Sequence, residues 1–382
     1  MSLKPQYVLS LLMVLCLSAC AGPALAPADR TLSTRALLDA EPLTGKTEVA
    51  ALRDVEVLEM DQNMLAFLDE HVNRKHGREQ KLHELLYAII TEGSFVLEYD
   101  EITRTAQETF DARRGNCLSF TNLFVAMARE VGINVSYQEI EIPPNWSLHG
   151  DIYVISRHVN VIVNLGAGET KQVDFNIADF EASHDRQQIS DKRALAHYYT
   201  NVGAEHLQGN DLLEALRYFR KAIATDDDFA PAWSNLGALY SHAGHYDYAE
   251  AAYLQALTVN PRELVAMSNL GQLYEYLGEV SLADRYNKKS NRHRMRNPYY
   301  RYHLAYKAFL AQNYESAIEH LEYSVKKRNR EDAFYFLMGL SHLQNGDEAE
   351  ARQWLEKAIE IADEKGLNRS YHNKLERLYG AR

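Results

Sequence analysis

Cysteine is nearly absent from this chain, with only Cys16, Cys20 and Cys117 among 382 residues. The first two fall in an N-terminal apolar segment, so the body of the protein holds one thiol and cannot close an intramolecular disulfide. A lone thiol in an oxidising compartment invites wrong pairing, and Cys117 therefore needs a physical reason for being there. Positive charge is also short: 41 Lys and Arg face 53 Asp and Glu, a formal charge of −12. The balance becomes about −13 without Lys4 and gives no basis for nucleic-acid binding. A phosphate-cradling glycine loop is missing, because Gly166-Ala167-Gly168 joins two strand patterns and does not open a helix. In HVNRKH, His71 and His76 are five apart and share no helical face with a third ligand, so neither a metal nor any other cofactor is expected.

Long apolar runs are likewise scarce. The one at the N-terminus reads MSLKPQYVLSLLMVLCLSAC, with Lys4 ahead of an apolar stretch from Tyr7 to Leu17 and small residues at its end. It is too short for a stable membrane span. Its last four residues, Leu17-Ser18-Ala19-Cys20, resemble the lipobox of bacterial lipoproteins. That resemblance implies a signal peptide over 1–19, acylation of Cys20 as the mature N-terminus, and attachment to the membrane through several acyl chains. Ala21, where an Asp would mark inner-membrane retention, implies the periplasmic face of the outer membrane. Residues 20–54 are rich in Ala, Pro and Thr and read as a linker.

Behind the linker, 46% apolar residues give room for two or three domains. Helical spacing begins near Val55 with Val57, Met60, Met64, Phe67 and Leu68, and resumes at Leu82, Leu85, Leu86 and Ile89. Another helix is expected over Thr103 to Arg113. Gly115-Asn116 interrupts it, and Phe120, Leu123, Phe124, Met127 and Val131 give the apolar face of a helix starting at or just after Cys117. The runs VSYQEIEI, DIYVISRHVNVIV and KQVDFNI then switch to strand character. Helices followed by an antiparallel sheet indicate an α+β domain over 55–185.

A repeat of thirty-four residues follows over 196–365. From Ala230, the residues Trp233, Leu236, Gly237, Tyr240, Gly244, Tyr246, Ala249, Tyr253, Ala256 and Pro261 resemble the signature of a tetratricopeptide repeat. Steps of thirty-four place Gly203, Gly237, Gly271, Ala305 and Gly339 at one small position and Ala215, Ala249, Ala283, Ala317 and Ala351 at another. Five copies fit, with a capping helix over 366–382. The third departs from the pattern at Asn287 and Ser290. The fold class read from these patterns is an α+β domain followed by an all-α solenoid that resembles tetratricopeptide repeats.

Cys117 at the first turn of a helix would meet unpaired backbone N–H groups and the positive end of the dipole, which favour a thiolate and can hold an oxyanion. His158 in SRHVNVIV and Asp174 in KQVDFN lie on successive strands, from which an imidazole can reach the thiol and a carboxylate the far nitrogen. The order Cys, His, Asp, carried by GNCLSF, RHVNV and VDFN over roughly residues 77 to 180, resembles the transglutaminase-like fold of the papain-like superfamily. The resemblance implies Cys117 as nucleophile, His158 as general base and acid, and Asp174 as the orienting residue. Leu118 and Val159 stand where protein-crosslinking members usually carry Trp, which argues against crosslinking. His149 is the competing histidine and reads as a loop residue. The backbone N–H of Cys117 is the first candidate oxyanion donor, and the second is unassigned.

These features lead to a membrane-anchored periplasmic amide hydrolase or acyltransferase acting on peptide or isopeptide bonds, with the repeats recruiting a protein or peptide. The alternative is a non-catalytic envelope scaffold. The basic run from Lys288 to His303 reads as a solvated helix end. Concave positions of the fourth and fifth copies give Tyr299, Tyr302, Tyr306, Phe309, Leu310, Phe336, Leu340 and Leu343, an apolar surface expected to bind a partner.

Overall fold

The computed structural model describes residues 32–45, 50–90, 95, 97–141, 147–149, 152–154, 158–166, 168–175 and 185–364. The apolar N-terminal segment, Cys20 and the expected capping helix lie outside these residues.

Two short helices open the described chain, α1 (Thr34–Leu37) and α2 (Glu41–Thr44). Leu37 and Ala40 are buried, and the Tyr240 hydroxyl donates to the Leu37 carbonyl at 2.7 Å. This part of the expected linker is therefore packed against the repeats. Helix α3 (Gln62–His71) begins seven residues later than the apolar spacing implies, because the Asp61 side chain accepts from the Met64 N–H at 2.9 Å and caps it. Val57 is buried ahead of that cap, with its carbonyl bound to the Ala106 N–H. Helix α4 (Arg78–Ile90) follows. The pair β1 (Glu98–Tyr99) and β2 (Arg114–Gly115) brackets α5 (Ala106–Ala112). A capping box of Thr105 and Glu108 starts α5, and Arg113 ends it in a left-handed conformation, φ 53°.

Helix α6 (Cys117–Glu130) is buried from Leu118 to Ala128. That stretch has no exposed face because it is sandwiched between α4 and α5 and an antiparallel sheet. The sheet runs β7-β6-β3-β8, with β3 (Asn134–Glu141), β6 (His158–Gly166), β7 (Glu169–Val173) and β8 (Asp185–Ile189). A separate antiparallel pair joins β4 (Ser147–His149) and β5 (Ile152–Val154).

Five consecutive helix pairs complete the described chain. They are α7 (Asp191–Gln208) with α8 (Leu212–Thr225), α9 (Ala230–His242) with α10 (Tyr246–Val259), and α11 (Leu264–Tyr276) with α12 (Val280–Arg294). The last two are α13 (Pro298–Leu310) with α14 (Tyr314–Lys327), and α15 (Asp332–Asn345) with α16 (Glu348–Glu364). The first helix starts at Asp191, ahead of the repeat pattern, because Ser190 caps it through the Arg193 N–H at 3.2 Å. Apolar packing is continuous from Leu37 to Ala283, so the α+β domain and the first three pairs share one core. A separate cluster begins at Tyr299 and serves the fourth pair and the start of the fifth.

Small residues set the distance within each pair. A Cβ at Gly237 would lie 2.6 Å from the Tyr253 ring, which is fully buried and has nowhere to go. Gly237→Val should therefore cost about 1–3 kcal/mol of stability through overpacking. Urea unfolding followed by circular dichroism measures this, and an unchanged midpoint would show that the pair tolerates a wider spacing.

Candidate active site

Cys117 occupies the first position of α6, and its thiol is half-buried. Asn116 is the cap. Its backbone is extended, φ −87°, and its Oδ1 accepts from the Ser119 N–H at 3.0 Å. The first-turn N–H groups of Cys117 and Leu118 have no acceptor within the helix, as at any helix start, and these are the donors an oxyanion could use. Gly115 is required just upstream because a Cβ there would sit 2.5 Å from the Ser119 Cβ. The GNC sequence thus combines a close approach, a cap and a thiol in three adjacent residues.

His158 begins β6 and is 4% exposed. Its Nε2 lies 2.7 Å from Asp174 Oδ1, and its side chain also hydrogen-bonds Cys117. With Nε2 engaged by the carboxylate, Nδ1 is the nitrogen left for the thiol. The register explains why these groups meet. Val161 pairs with Val173 across the antiparallel β6 and β7, so Asp174 falls opposite Asn160, on the same face as His158 two residues earlier. Thr121, one turn beyond Cys117 on α6, donates to the Val159 carbonyl at 3.0 Å. That bond fixes the Cys117 face of the helix against the first residues of β6.

Burial by itself would lower the His158 pKa, but its hydrogen bonds to Asp174 and Cys117 outweigh it and raise the value to about 10. Asp174 does not rely on the histidine alone, since Asn160 Nδ2 donates to its Oδ2 at 2.8 Å. Sequence reasoning missed Asn160 as a functional residue. The available signal was its place two residues after His158, which puts both on one face of a strand.

The structure brings Cys117, His158 and Asp174 together. His149 ends strand β4 instead of lying in a loop. Leu118 and Val159 are both core residues. His71 faces the Phe67 carbonyl and His76 faces Glu84, so the two have separate partners. Within the basic run, Arg294 donates to Ser268 and Arg301 to the Met295 carbonyl.

The expected apolar surface of the fourth and fifth pairs needs a correction. Tyr299 is buried, packed on the Phe334 ring with its hydroxyl bound to Glu331, and belongs to the core where the concave-position rule placed it on the surface. Tyr302, Phe309, Phe336, Leu340 and Leu343 are half-buried, with Tyr302 also against Phe334. Tyr306 and Leu310 are exposed, at 42% and 63%.

Residues 66–156 match the family described as transglutaminase-like superfamily. That match contains Cys117 and stops short of His158 and Asp174. Residues 230–263 and 302–365 match tetratricopeptide repeat families. No curated protein matches the chain. Among solved structures, the chain is similar to "Crystal structure of MamA protein" at 19% identity, covering 45% of this chain and 93% of that one with a TM-score of 0.25. It is also similar to "YrrB: a TPR protein with an unusual peptide-binding site" at 20% identity, covering 47% and 91% with a TM-score of 0.24. PilF of Pseudomonas aeruginosa is 17% identical, with 50% and 96% covered and a TM-score of 0.27. Likenesses of this size carry no inference about activity or partner. What the family matches and the fold give together is a transglutaminase-like domain followed by an array of tetratricopeptide repeats.

Proposed function

We propose that this protein is a cysteine-dependent amide hydrolase or acyltransferase of the cell envelope, acting on peptide or isopeptide bonds, with the repeat array recruiting the protein or peptide acted on. One observation carries the reading: a buried imidazole is bonded to a carboxylate on one side and to the only described thiol on the other. The raised pKa of His158, about 10, favours the form of the pair in which the shared proton rests on the imidazole, and that form is the nucleophile. Sulfur attacks the amide carbonyl carbon, and the carbonyl oxygen takes the negative charge beside the first-turn N–H groups of α6. The tetrahedral intermediate collapses to a thioester as His158 passes its proton to the departing amine. Water, or a second amine, then attacks the thioester with His158 as base and restores the thiol. Asp174 keeps the ring oriented and stabilises its charge throughout.

The anchor belongs to the same proposal. Leu17-Ser18-Ala19-Cys20 supports acylation of Cys20 and a place at the periplasmic face of the outer membrane. The half-buried and exposed residues of the fourth and fifth pairs, Tyr302, Tyr306, Phe309, Leu310, Phe336 and Leu340, support recruitment of an apolar peptide segment.

Iodoacetamide should alkylate Cys117 in the full-length chain in detergent, and His158→Ala should slow the reaction at neutral pH by about tenfold or more. Equal rates in the two proteins would remove the case for a catalytic thiol. Because His158 lies at about 10 when folded, against an ordinary 6.5, its charged form binds more tightly in the native state. The stability this supplies is present in full below about pH 6.5 and is lost as pH rises through about 10. Asp174→Asn should accordingly lower the urea midpoint most near pH 6, with the gap from wild type closing toward pH 10. A gap that is constant over that range would mean the pair is not charged. Cys20→Ala should leave the protein unacylated and released from membranes. Mass spectrometry finding an unmodified mature N-terminus in the wild type would refute the anchor.

A further inference from the structure

We infer that Glu205, on the first helix of the repeat array, is a positioning residue for Cys117, so that the reactivity of the thiol depends on a carboxylate supplied by the array. The inference rests on the reading of Cys117 as a nucleophile and adds a regulator of that site. It starts from an unusual placement. Glu205 lies on α7, yet its Oε1 accepts from the backbone N–H of Thr103, in the α+β domain, at 2.8 Å. Burial raises the pKa of this carboxyl, and its bonds with the side chain and the backbone of Thr103 pull the other way. A half-exposed surface acid would have no such need for partners.

The polarity of the chain of hydrogen bonds runs from Glu205 to the start of α6. Thr103 has one hydroxyl proton, and its Oγ1 already accepts from Asn116 Nδ2 at 2.7 Å. That leaves the proton for the Glu205 carboxylate, which is already held at the Thr103 N–H and whose pKa the Thr103 side chain lowers. Because Nδ2 of Asn116 is held there, its Oδ1 must face the other way, toward the Ser119 N–H at 3.0 Å. The bond from the Ser119 N–H is the cap of α6, next to Cys117. Thr103, Asn116 and Ser119 are all buried, so water is poorly placed to substitute for a missing member. Without the carboxylate, the Thr103 hydroxyl can turn its proton toward Asn116, the amide can flip, and an NH2 group then opposes the Ser119 N–H. The helix would lose its cap where the nucleophile sits.

Other contacts between the array and the domain end elsewhere. Asp191 takes a two-pronged bond from Arg129 at 2.6 and 2.8 Å on the exposed side, and Lys221 pairs with Asp54. Asp191→Asn thus weakens the seating of the array without touching the relay and serves as the control.

The test is the rate of iodoacetamide alkylation of Cys117 in the full-length chain in detergent, with native structure checked by circular dichroism. Glu205→Ala should slow alkylation by about five- to tenfold, the rate equivalent of losing a helix cap. Glu205→Gln keeps an acceptor for Thr103 and should stay within about twofold of wild type by the same measure. Thr103→Val removes the hydroxyl and should match Glu205→Ala, with the double variant no slower than either single one. If Glu205→Ala fails to fold, Thr103→Val carries the test alone. A folded Glu205→Ala or Thr103→Val protein that reacts at the wild-type rate overturns the relay, as does an equal loss in Asp191→Asn. Should His158→Ala also leave the wild-type rate unchanged, the nucleophile reading falls and takes this inference with it. A His158-dependent rate that ignores Glu205 and Thr103 rejects the inference alone.

Discussion

A helix can expose its first-turn N–H groups to a reaction only if the chain is held still where the helix begins, and at α6 the Asn116 side chain does that holding. Its two ends perform opposite tasks, Oδ1 accepting from Ser119 and Nδ2 donating to Thr103. Ser119 Oγ in turn accepts from the Arg104 N–H and donates to the Ile102 carbonyl. The strand-like segment before α5 and the start of α6 are therefore one hydrogen-bonded unit. Gly115 permits it, since no larger residue fits against Ser119. The thiol inherits its position from this unit.

The sheet supplies the second half of the site by a different physical rule. Alternation along β6 sends His158 and Asn160 to one face, and the antiparallel register sets Asp174 opposite Asn160. Thr121 then fastens helix to strand one turn from Cys117. A one-residue slip of β6 against β7 would turn Asp174 away from both partners. Val159, Val161 and Val163 resist the slip because all three are buried in the same core as α6. The electrostatics depend on that packing: a buried imidazole would ordinarily lose its proton, and the carboxylate at 2.7 Å together with Cys117 reverses the direction.

What could be read from the sequence was local or periodic. The step of thirty-four residues located Gly237 against its partner helix, and the change from helical to strand spacing gave the α+β order. Cys117, His158 and Asp174 were legible as residue types in a known order on recognisable elements. Asn160 was legible in principle through the two-residue period of a strand. Glu205 was not, because it reaches Thr103 across 102 residues and nothing in either neighbourhood marks the contact. The start of α3 was misplaced since apolar spacing continued through Val57 and Met60, while a single cap at Asp61 decides where the helix begins. Tyr299 was assigned to a surface by its repeat position, although a tyrosine can equally bury its ring and send only its hydroxyl to Glu331.

The third helix pair shows how one repeat can divide an array. On α12 only Ala283 and Ser290 are buried, and the expected aromatic and alanine are Asn287 and Ser290. Asn287 donates to Glu275 at 2.7 Å, while Ser290 and Arg294 both bond Ser268. Hydrogen bonds thus replace apolar contact at the Asn287 and Ser290 positions, beside the stacked rings of Tyr274 and Tyr286. The shared core accordingly ends at Ala283, and the next cluster begins at Tyr299. Stability in a repeat array is close to a sum of units and nearest-neighbour interfaces. An interface without a common apolar core contributes less to that sum than one with it, so the first three pairs are coupled to the α+β domain more strongly than to the last two. That division assigns the two blocks different physical work: the first carries Glu205 and shares the core behind Cys117, and the second carries the exposed Tyr306 and Leu310 outside it.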